Sequence, residues 1–212
     1  MRRYVVEFIG TFFLILTIFM LVLGGNDETA ILAPIGIGAM LVGVIYAGGH
    51  ISKAHYNPAV TLAFFLSGTF PKHRIMGYII AQLLAAFLAP VVARLMLAEI
   101  IIIESEALVT IPALIAEFLG TFALVFVILN VAIAKGTAGN NFYGMAIGLT
   151  VIGGIYAFGD ISGAAFNPAV ALSICTNGLK MMSDIWIYLV ADILGAVVAT
   201  YTFLFVTGKE IG

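Results

Sequence analysis

Six long apolar stretches limit the folds that this sequence can adopt. They lie at about residues 4–24, 31–49, 74–97, 111–133, 141–159 and 184–206. A helix needs about twenty mostly apolar residues to cross a bilayer. The chain is 63% hydrophobic and 9% charged, whereas soluble domains carry about 25% charged residues. The sequence therefore predicts an all-α membrane protein with six transmembrane helices, surrounded by membrane lipid.

Charge and cysteine content exclude several other classes. The net charge of −2 provides no basic surface for nucleic acid, so no nucleic-acid partner is expected. A single cysteine, Cys175, provides neither a disulfide framework nor a zinc motif, and we expect no metal and no cofactor. The first apolar run contains Glu7 and lacks a small-residue cleavage site, so it is expected to be a spanning helix rather than a signal peptide.

Two further apolar segments are too short to span a bilayer. Residues 58–67 and 168–176 are each only about ten residues long. Segments of this kind occur in membranes as re-entrant half-helices that are buried in protein or line a cavity. We therefore predict two half-helices in addition to the six spans.

The two halves of the chain repeat each other without gaps. One offset of 110 residues relates residues 7–12 to 117–122, 45–47 to 155–157, and 57–60 to 167–170. Each unit has three spans, an odd number, so the second unit must enter the membrane from the opposite face. The sequence predicts one transmembrane domain over residues 1–212, built from inverted repeats at about 1–100 and 111–212, with a binding or permeation site at their interface.

Each repeat has an Asn-Pro-Ala triplet at the start of its half-helix. Asn is a strong helix N-cap, and Pro is well tolerated at the first helical position. Two inverted half-helices would meet near the middle of the bilayer, and their N-terminal dipole ends would repel cations there. The triplets are Asn57, Pro58, Ala59 and Asn167, Pro168, Ala169.

These motifs resemble those of the aquaporin, or major intrinsic protein, family over nearly the whole chain. The resemblance is carried by residues 49–60 and 162–169, by the Glu-Phe-x-Gly-Thr-Phe segments at 7–12 and 117–122, and by Gly-Tyr-x-x-Ala-Gln at 77–82. It implies a six-helix bundle with two half-helices, one pore per subunit and a homotetramer. It also implies a passive channel for water or small uncharged solutes, and not an enzyme.

Several polar residues lie within or beside the apolar segments. An intramembrane carboxylate is a functional hypothesis by default, but a matched pair favours a structural role in bracing the loops before the half-helices. We give Glu7, Glu117 and Gln82 this role. His50 and His55 are interpreted as loop-bracing or pore-lining, because no third metal ligand is evident. Asp160 is expected near the outer mouth, and Asp192 is expected to be a structural carboxylate with a bonded partner.

The expected constriction departs from the family pattern. Family members usually have Arg directly after the second Asn-Pro-Ala, where this chain has Val170. The other three positions align with Ile37, Ile155 and Ala164. A constriction of these four residues would contain no charged or hydrogen-bonding side chain. Such an aperture favours dissolved gases, ammonia, small alcohols or undissociated acids. Water is also a candidate solute.

Charge asymmetry predicts the orientation in the membrane. With the N-terminus inside, seven basic residues lie inside and two outside, which places both termini in the cytoplasm by the positive-inside rule; we expect the plasma membrane. The inside residues are Arg2, Arg3, Lys53, Lys72, Arg74, Lys135 and Lys209, and the outside ones are Arg94 and Lys180.

Three other functions compete with a channel. A non-conducting scaffold or junction protein would retain both triplets while the apolar constriction stayed closed. A secondary transporter also uses inverted repeats and broken helices, but only Asp192 is a candidate coupling residue. An intramembrane hydrolase would need a nucleophile beside a base, for which Ser52 and Lys53 are the candidates.

Overall fold

The computed structural model describes residues 1–97 and 106–208, apart from the side chain of Asp27. Lys209, which the charge argument places inside, lies outside the described residues. The described residues contain helices and no strand. The eight α-helices are α1 Arg2–Leu23, α2 Asp27–Ser52, α3 Pro58–Leu66, α4 Lys72–Met96, α5 Thr110–Ala132, α6 Tyr143–Ser162, α7 Pro168–Thr176 and α8 Ile185–Thr207.

Six of these helices are long and apolar enough to cross a membrane: α1, α2, α4, α5, α6 and α8, the last together with the short turn before it. The predicted all-α membrane fold is therefore confirmed. Helix α2 begins earlier than the apolar run because the Asn26 side chain caps it, accepting a hydrogen bond of 2.9 Å from the Thr29 N–H. It continues to Ser52 and ends where Lys53 adopts a left-handed φ of 76°.

The two short helices begin at the Asn-Pro-Ala triplets. Helix α3 has Asn57 as its N-cap, with Asn57 Oδ1 accepting from the Ala59 N–H at 2.8 Å. Helix α7 has Asn167 in the same role, with a bond of 2.9 Å from the Ala169 N–H. Each helix has nine residues, which is about 14 Å at 1.5 Å per residue. That length is roughly half of the hydrocarbon core of a bilayer.

The helices pack in two matching sets. Helix α1 contacts α2 and α4, whereas α5 contacts α6 and α8 in the same way. The sets meet where α2 packs on α6, where the half-helix α3 packs on α8, and where α7 packs on α4. Each half-helix is thus held by long helices from both halves of the chain. Its tip is fixed in the interior of the bundle.

Glycine permits the closest contact between the long helices and the loops. A Cβ atom on Gly10 would lie 2.1 Å from the Tyr56 ring, and one on Gly120 would lie 1.9 Å from the Phe166 ring. Real Cβ atoms do not approach other atoms so closely. Tyr56 and Phe166 directly precede the two capping asparagines, so these glycines allow α1 and α5 to seat the half-helix loops.

Candidate functional site

A buried carboxylate holds the loop that precedes α3. Glu7 is completely buried on α1, and both of its oxygens accept two hydrogen bonds. Oε1 accepts from Ser52 Oγ at 2.7 Å and from the His55 N–H at 2.9 Å. Oε2 accepts from the Tyr56 N–H at 2.7 Å and from Gln82 Nε2 at 2.9 Å. Four donors therefore satisfy this carboxylate without a water molecule.

Glu117 holds the loop before α7 in the same manner, with one difference. Its Oε1 accepts from Ser162 Oγ and from the Ala165 N–H, and its Oε2 accepts from the Phe166 N–H at 2.7 Å. The fourth position, which Gln82 fills in the first half, is occupied in the second half by Asp192, 110 residues further along the chain. An ionised carboxylate has no proton to donate there.

The two loops share an unusual backbone. Ala54 and Tyr56 have φ values of 52° and 50°, and their counterparts Ala164 and Phe166 have values of 50° and 47°. Positive φ is uncommon for residues with a Cβ atom and costs about 1–3 kcal/mol at each position. The bonds from these loops to the buried carboxylates hold the strained conformation in place.

The tips of the half-helices are tied to each other. Asn57 Nδ2 donates to the Phe166 carbonyl at 2.8 Å, and Asn167 Nδ2 donates to the Tyr56 carbonyl at 3.0 Å. Each amide therefore caps its own helix through Oδ1 and bridges to the opposite loop through Nδ2. An amide nitrogen has two protons, so each asparagine retains one N–H that is not used in the bridge.

A cavity of about 530 Å³ lies against this centre, and both capping asparagines line it. A second cavity of about 240 Å³ is lined by His50, Lys53 and Asn140. Both cavities are lined by the same four residues where they adjoin: Ile45, Ala54, Ile128 and Ile147. The two cavities are therefore neighbours within the bundle.

The four positions of the expected constriction all line the larger cavity. Ile37 lies on α2, Ile155 on α6, Ala164 in the loop before α7, and Val170 in the first turn of α7. Three of them are almost fully buried, with exposed fractions of 7% for Ile37, 7% for Ala164 and 5% for Val170. The structure thus brings these apolar side chains to one chamber, next to Asn167.

The other singled-out polar residues have different positions. His55 is buried, with Nδ1 3.2 Å from Thr61 Oγ1 and its ring against Phe64, and it lines the larger cavity. His50 is exposed and lines the smaller cavity, and the structure does not bring it into the Glu7 network. Asp160 is exposed where it lines the larger cavity, whereas Asp192 is fully buried between α8 and α5. No cluster of three potential metal ligands occurs among the described residues.

Two tyrosines to which the sequence analysis assigned no role complete the loop supports. The Tyr78 hydroxyl donates to the Ser52 carbonyl at 2.7 Å, and the Tyr188 hydroxyl donates to the Ser162 carbonyl. These pairs are again 110 residues apart. The signal was present in the sequence, because extending the repeat offset into α4 and α8 pairs Tyr78 with Tyr188 and Gln82 with Asp192.

Comparison with known proteins agrees with this architecture. The family described as "Major intrinsic protein" matches residues 1–203. Aquaporin NIP3-1 of Arabidopsis thaliana is 36% identical over 217 residues, which cover 95% of this chain and 66% of that protein. Nodulin-26 of Glycine max is 35% identical over 212 residues, covering 96% of this chain and 77% of that protein. The chain thus spans just under two thirds of one relative and about three quarters of the other.

A solved structure has the same fold. The X-ray structure of the aquaglyceroporin from Plasmodium falciparum superposes with a TM-score of 0.80, covering 95% of this chain and 94% of that one at 24% sequence identity. Six membrane-length helices, two capped half-helices and a family match over nearly the whole length agree with one another. The chain belongs to the major intrinsic protein family, the aquaporins, whose members are membrane channels and not enzymes.

Proposed function

We propose that this multi-pass membrane protein passes water and small uncharged solutes through a path along the two cavities. The observation that carries the proposal is that both capping asparagines and all four constriction residues line one chamber. Pores of this kind select by their diameter, by the hydrogen-bonding groups that line them and by electrostatic barriers. Here apolar side chains set the diameter, and the two capping asparagines supply the hydrogen-bonding groups beside them.

The residues at the constriction favour solutes that are easily dehydrated. Ile37, Ile155, Ala164 and Val170 offer no side-chain hydrogen bond to replace a lost hydration shell. A buried polar group without a hydrogen bond costs at least about 1–3 kcal/mol in proteins. Dissolved gases, ammonia, small alcohols and undissociated acids lose less hydration free energy on entering the constriction than ions do. Water would rely on backbone carbonyls and on the asparagine amides.

Exclusion of cations is proposed to depend on the half-helices. Both α3 and α7 direct their N-termini, with about half a positive charge each, toward the bridged centre. In other channels an arginine adds a fixed positive charge at the constriction, and Val170 adds none. The barrier to protons and cations would therefore lie at Asn57 and Asn167.

Substituting Val170 with arginine tests this view of the constriction. We expect Val170→Arg to reduce the flux of ammonia and undissociated acids strongly, because it inserts a charged, hydrated side chain into the chamber. Purified protein in liposomes would be followed by stopped-flow light scattering for water and by an internal pH dye for ammonia. The matched control is Val170→Ile, which changes the size of the side chain but not its polarity.

The outcomes separate the candidate functions. Flux of neutral solutes above that of protein-free vesicles in the wild type supports the proposal. Water flux that appears only in Val170→Arg would mean that the apolar constriction blocks water and passes other solutes. Absence of flux for water, ammonia, urea and acids in both proteins would favour the non-conducting scaffold.

We propose that the two halves are inverted repeats, about 1–100 and 111–212, in one channel domain with both termini in the cytoplasm of the plasma membrane. Three spans in each half and the excess of basic residues on one side support this orientation. Labelling of single cysteines at the termini in intact cells and in permeabilised cells tests it. Labelling before permeabilisation would contradict it.

We also propose that the channel is a homotetramer, as in the family. Large apolar side chains are exposed along several long helices, including Leu84 on α4 and Tyr201 on α8. Lipid and neighbouring subunits are the two environments that accept such faces. Light scattering of the detergent-solubilised protein should give the mass of four chains, and the mass of one chain would exclude a stable tetramer.

A further inference from the structure

The second loop support contains two buried carboxyl groups where the first contains a carboxylate and an amide. Glu117 and Asp192 are both fully buried, on α5 and α8. Asp192 accepts a hydrogen bond from Thr121, one helical turn after Glu117 on α5, so both carboxyl groups lie at one level of the contact between α5 and α8. Two neighbouring ionised carboxylates would repel each other strongly in a low-dielectric interior. Tyr188 is a further titratable neighbour of both carboxyl groups, and it is not basic.

The hydrogen bonds leave one position open for a proton. Asp192 Oδ1 accepts from Thr121 Oγ1 at 2.9 Å, and Asp192 Oδ2 is buried with no partner. On Glu117, Oε1 accepts two bonds, whereas Oε2 accepts only one, from Phe166. The equivalent oxygen of Glu7 has a second donor, which is Gln82. A proton on Asp192 Oδ2 would fill this missing donor position.

We propose that Asp192 is a neutral carboxylic acid whose Oδ2–H donates to Glu117, and that it thereby positions the loop before α7. In this state Glu117 has four donors, as Glu7 has. The pair carries one negative charge and one shared proton. Asp192 is a positioning residue, because it acts on the pore through Glu117 and the loop that contains Ala164.

The matched threonines support this assignment. Thr121 on α5 donates to Asp192, whereas its counterpart Thr11 on α1 has a buried hydroxyl with no partner. In the second half Thr121 therefore donates to Asp192 Oδ1, and the proton of the neutral acid resides on Oδ2. The carboxylic acid is thus anchored to α5 beside the glutamate that holds the loop.

Infrared spectroscopy of the intact protein in liposomes tests the proton directly. We expect the wild type to show the carbonyl-stretch band of a protonated carboxylic acid, shifted in heavy water. Asp192→Asn should lack this band, because asparagine supplies a permanent N–H donor and Glu117 stays ionised. Absence of the band from the wild type, or its persistence at full strength in Asp192→Asn, would overturn the proposal.

Two variants test the positioning role. Asp192→Asn should retain the melting temperature and solute flux of the wild type. Asp192→Val, of similar size but without donor or acceptor, should melt lower by about 2–4 °C or more and conduct less. Equal behaviour of the two variants would refute positioning. This part rests on the proposed channel function because flux reports it, whereas the infrared band does not depend on flux, so the two failures are distinguishable.

Discussion

Glu117→Ala is expected to abolish the stable assembly of the protein and to reduce its solute flux to that of empty vesicles. The substitution removes the acceptor of the Ala165 N–H and the Phe166 N–H, and it leaves Ser162 Oγ with only its long bond of 3.5 Å to the Phe158 carbonyl. A buried donor without a partner costs about 1–3 kcal/mol. Two such donors, together with the weakened Ser162 bond, consume a large part of the about 5–15 kcal/mol that usually separates folded from unfolded protein.

The effect should reach the pore because the same loop carries Ala164 and Phe166. The Phe166 carbonyl accepts the bridge from Asn57, so loss of the loop conformation also releases the tip of α3. Thermal unfolding, size-exclusion chromatography and liposome flux would be measured together. Leu119→Ala on the same helix is the matched control, because this side chain is 44% exposed and accepts no hydrogen bond. A Glu117→Ala protein with the melting temperature of the wild type would contradict the structural role.

Gly120→Ala should be the most damaging substitution by a single methyl group. The new Cβ would lie 1.9 Å from Phe166 Cε1 and 2.3 Å from Cδ1, so the ring must leave its position. Overpacking in a well-packed core costs about 1–3 kcal/mol, occasionally more. About 2–4 °C of melting temperature is lost per kcal/mol in a chain of this size. We also expect flux to fall, because Phe166 directly precedes Asn167.

Gly153→Ala provides the matched control. Gly153 also lies in a long helix, α6, but a Cβ there would meet no atom within 4 Å. Alanine is the better helix former by about 0.5–1 kcal/mol, so the control should be as stable as the wild type or slightly more stable. Equal melting temperatures for Gly120→Ala and the wild type would show that the loop can move away from α5 at little cost.

The six spans and two half-helices were predictable because they depend on local properties. Hydropathy over about twenty residues identifies a span, and Asn followed by Pro identifies a helix start. The observed helix ends differ by a few residues from the ends of the apolar runs. The reason is that a helix ends at its capping residues, whereas an apolar run ends at the first polar residue. Asn26 and Lys53 set the bounds of α2 in this way.

Contacts across the repeat could be predicted only in part. The offset of 110 residues pairs Glu7 with Glu117 and Tyr78 with Tyr188, because equivalent residues of a duplicated unit occupy equivalent positions. Identical residue types reveal both of these pairs, whereas Gln82 and Asp192 differ and are paired only by extending the offset beyond the identical blocks. Proximity in sequence predicts that His50 belongs to the loop supports, whereas its exposed side chain lies outside the Glu7 network and lines the smaller cavity.

By itself, the sequence determined that the chain is a helical membrane protein with two internal copies of one unit, because apolar length and motif spacing are properties of the chain alone. Only the tertiary structure decided which polar atoms have a hydrogen-bond partner. The bridge from Asn57 to Phe166 joins residues 109 positions apart, and the surroundings of Asp192 depend on how α5 packs against α8. In a low-dielectric interior a polar group without a hydrogen-bond partner is costly, and which partners are within reach depends on how the helices pack.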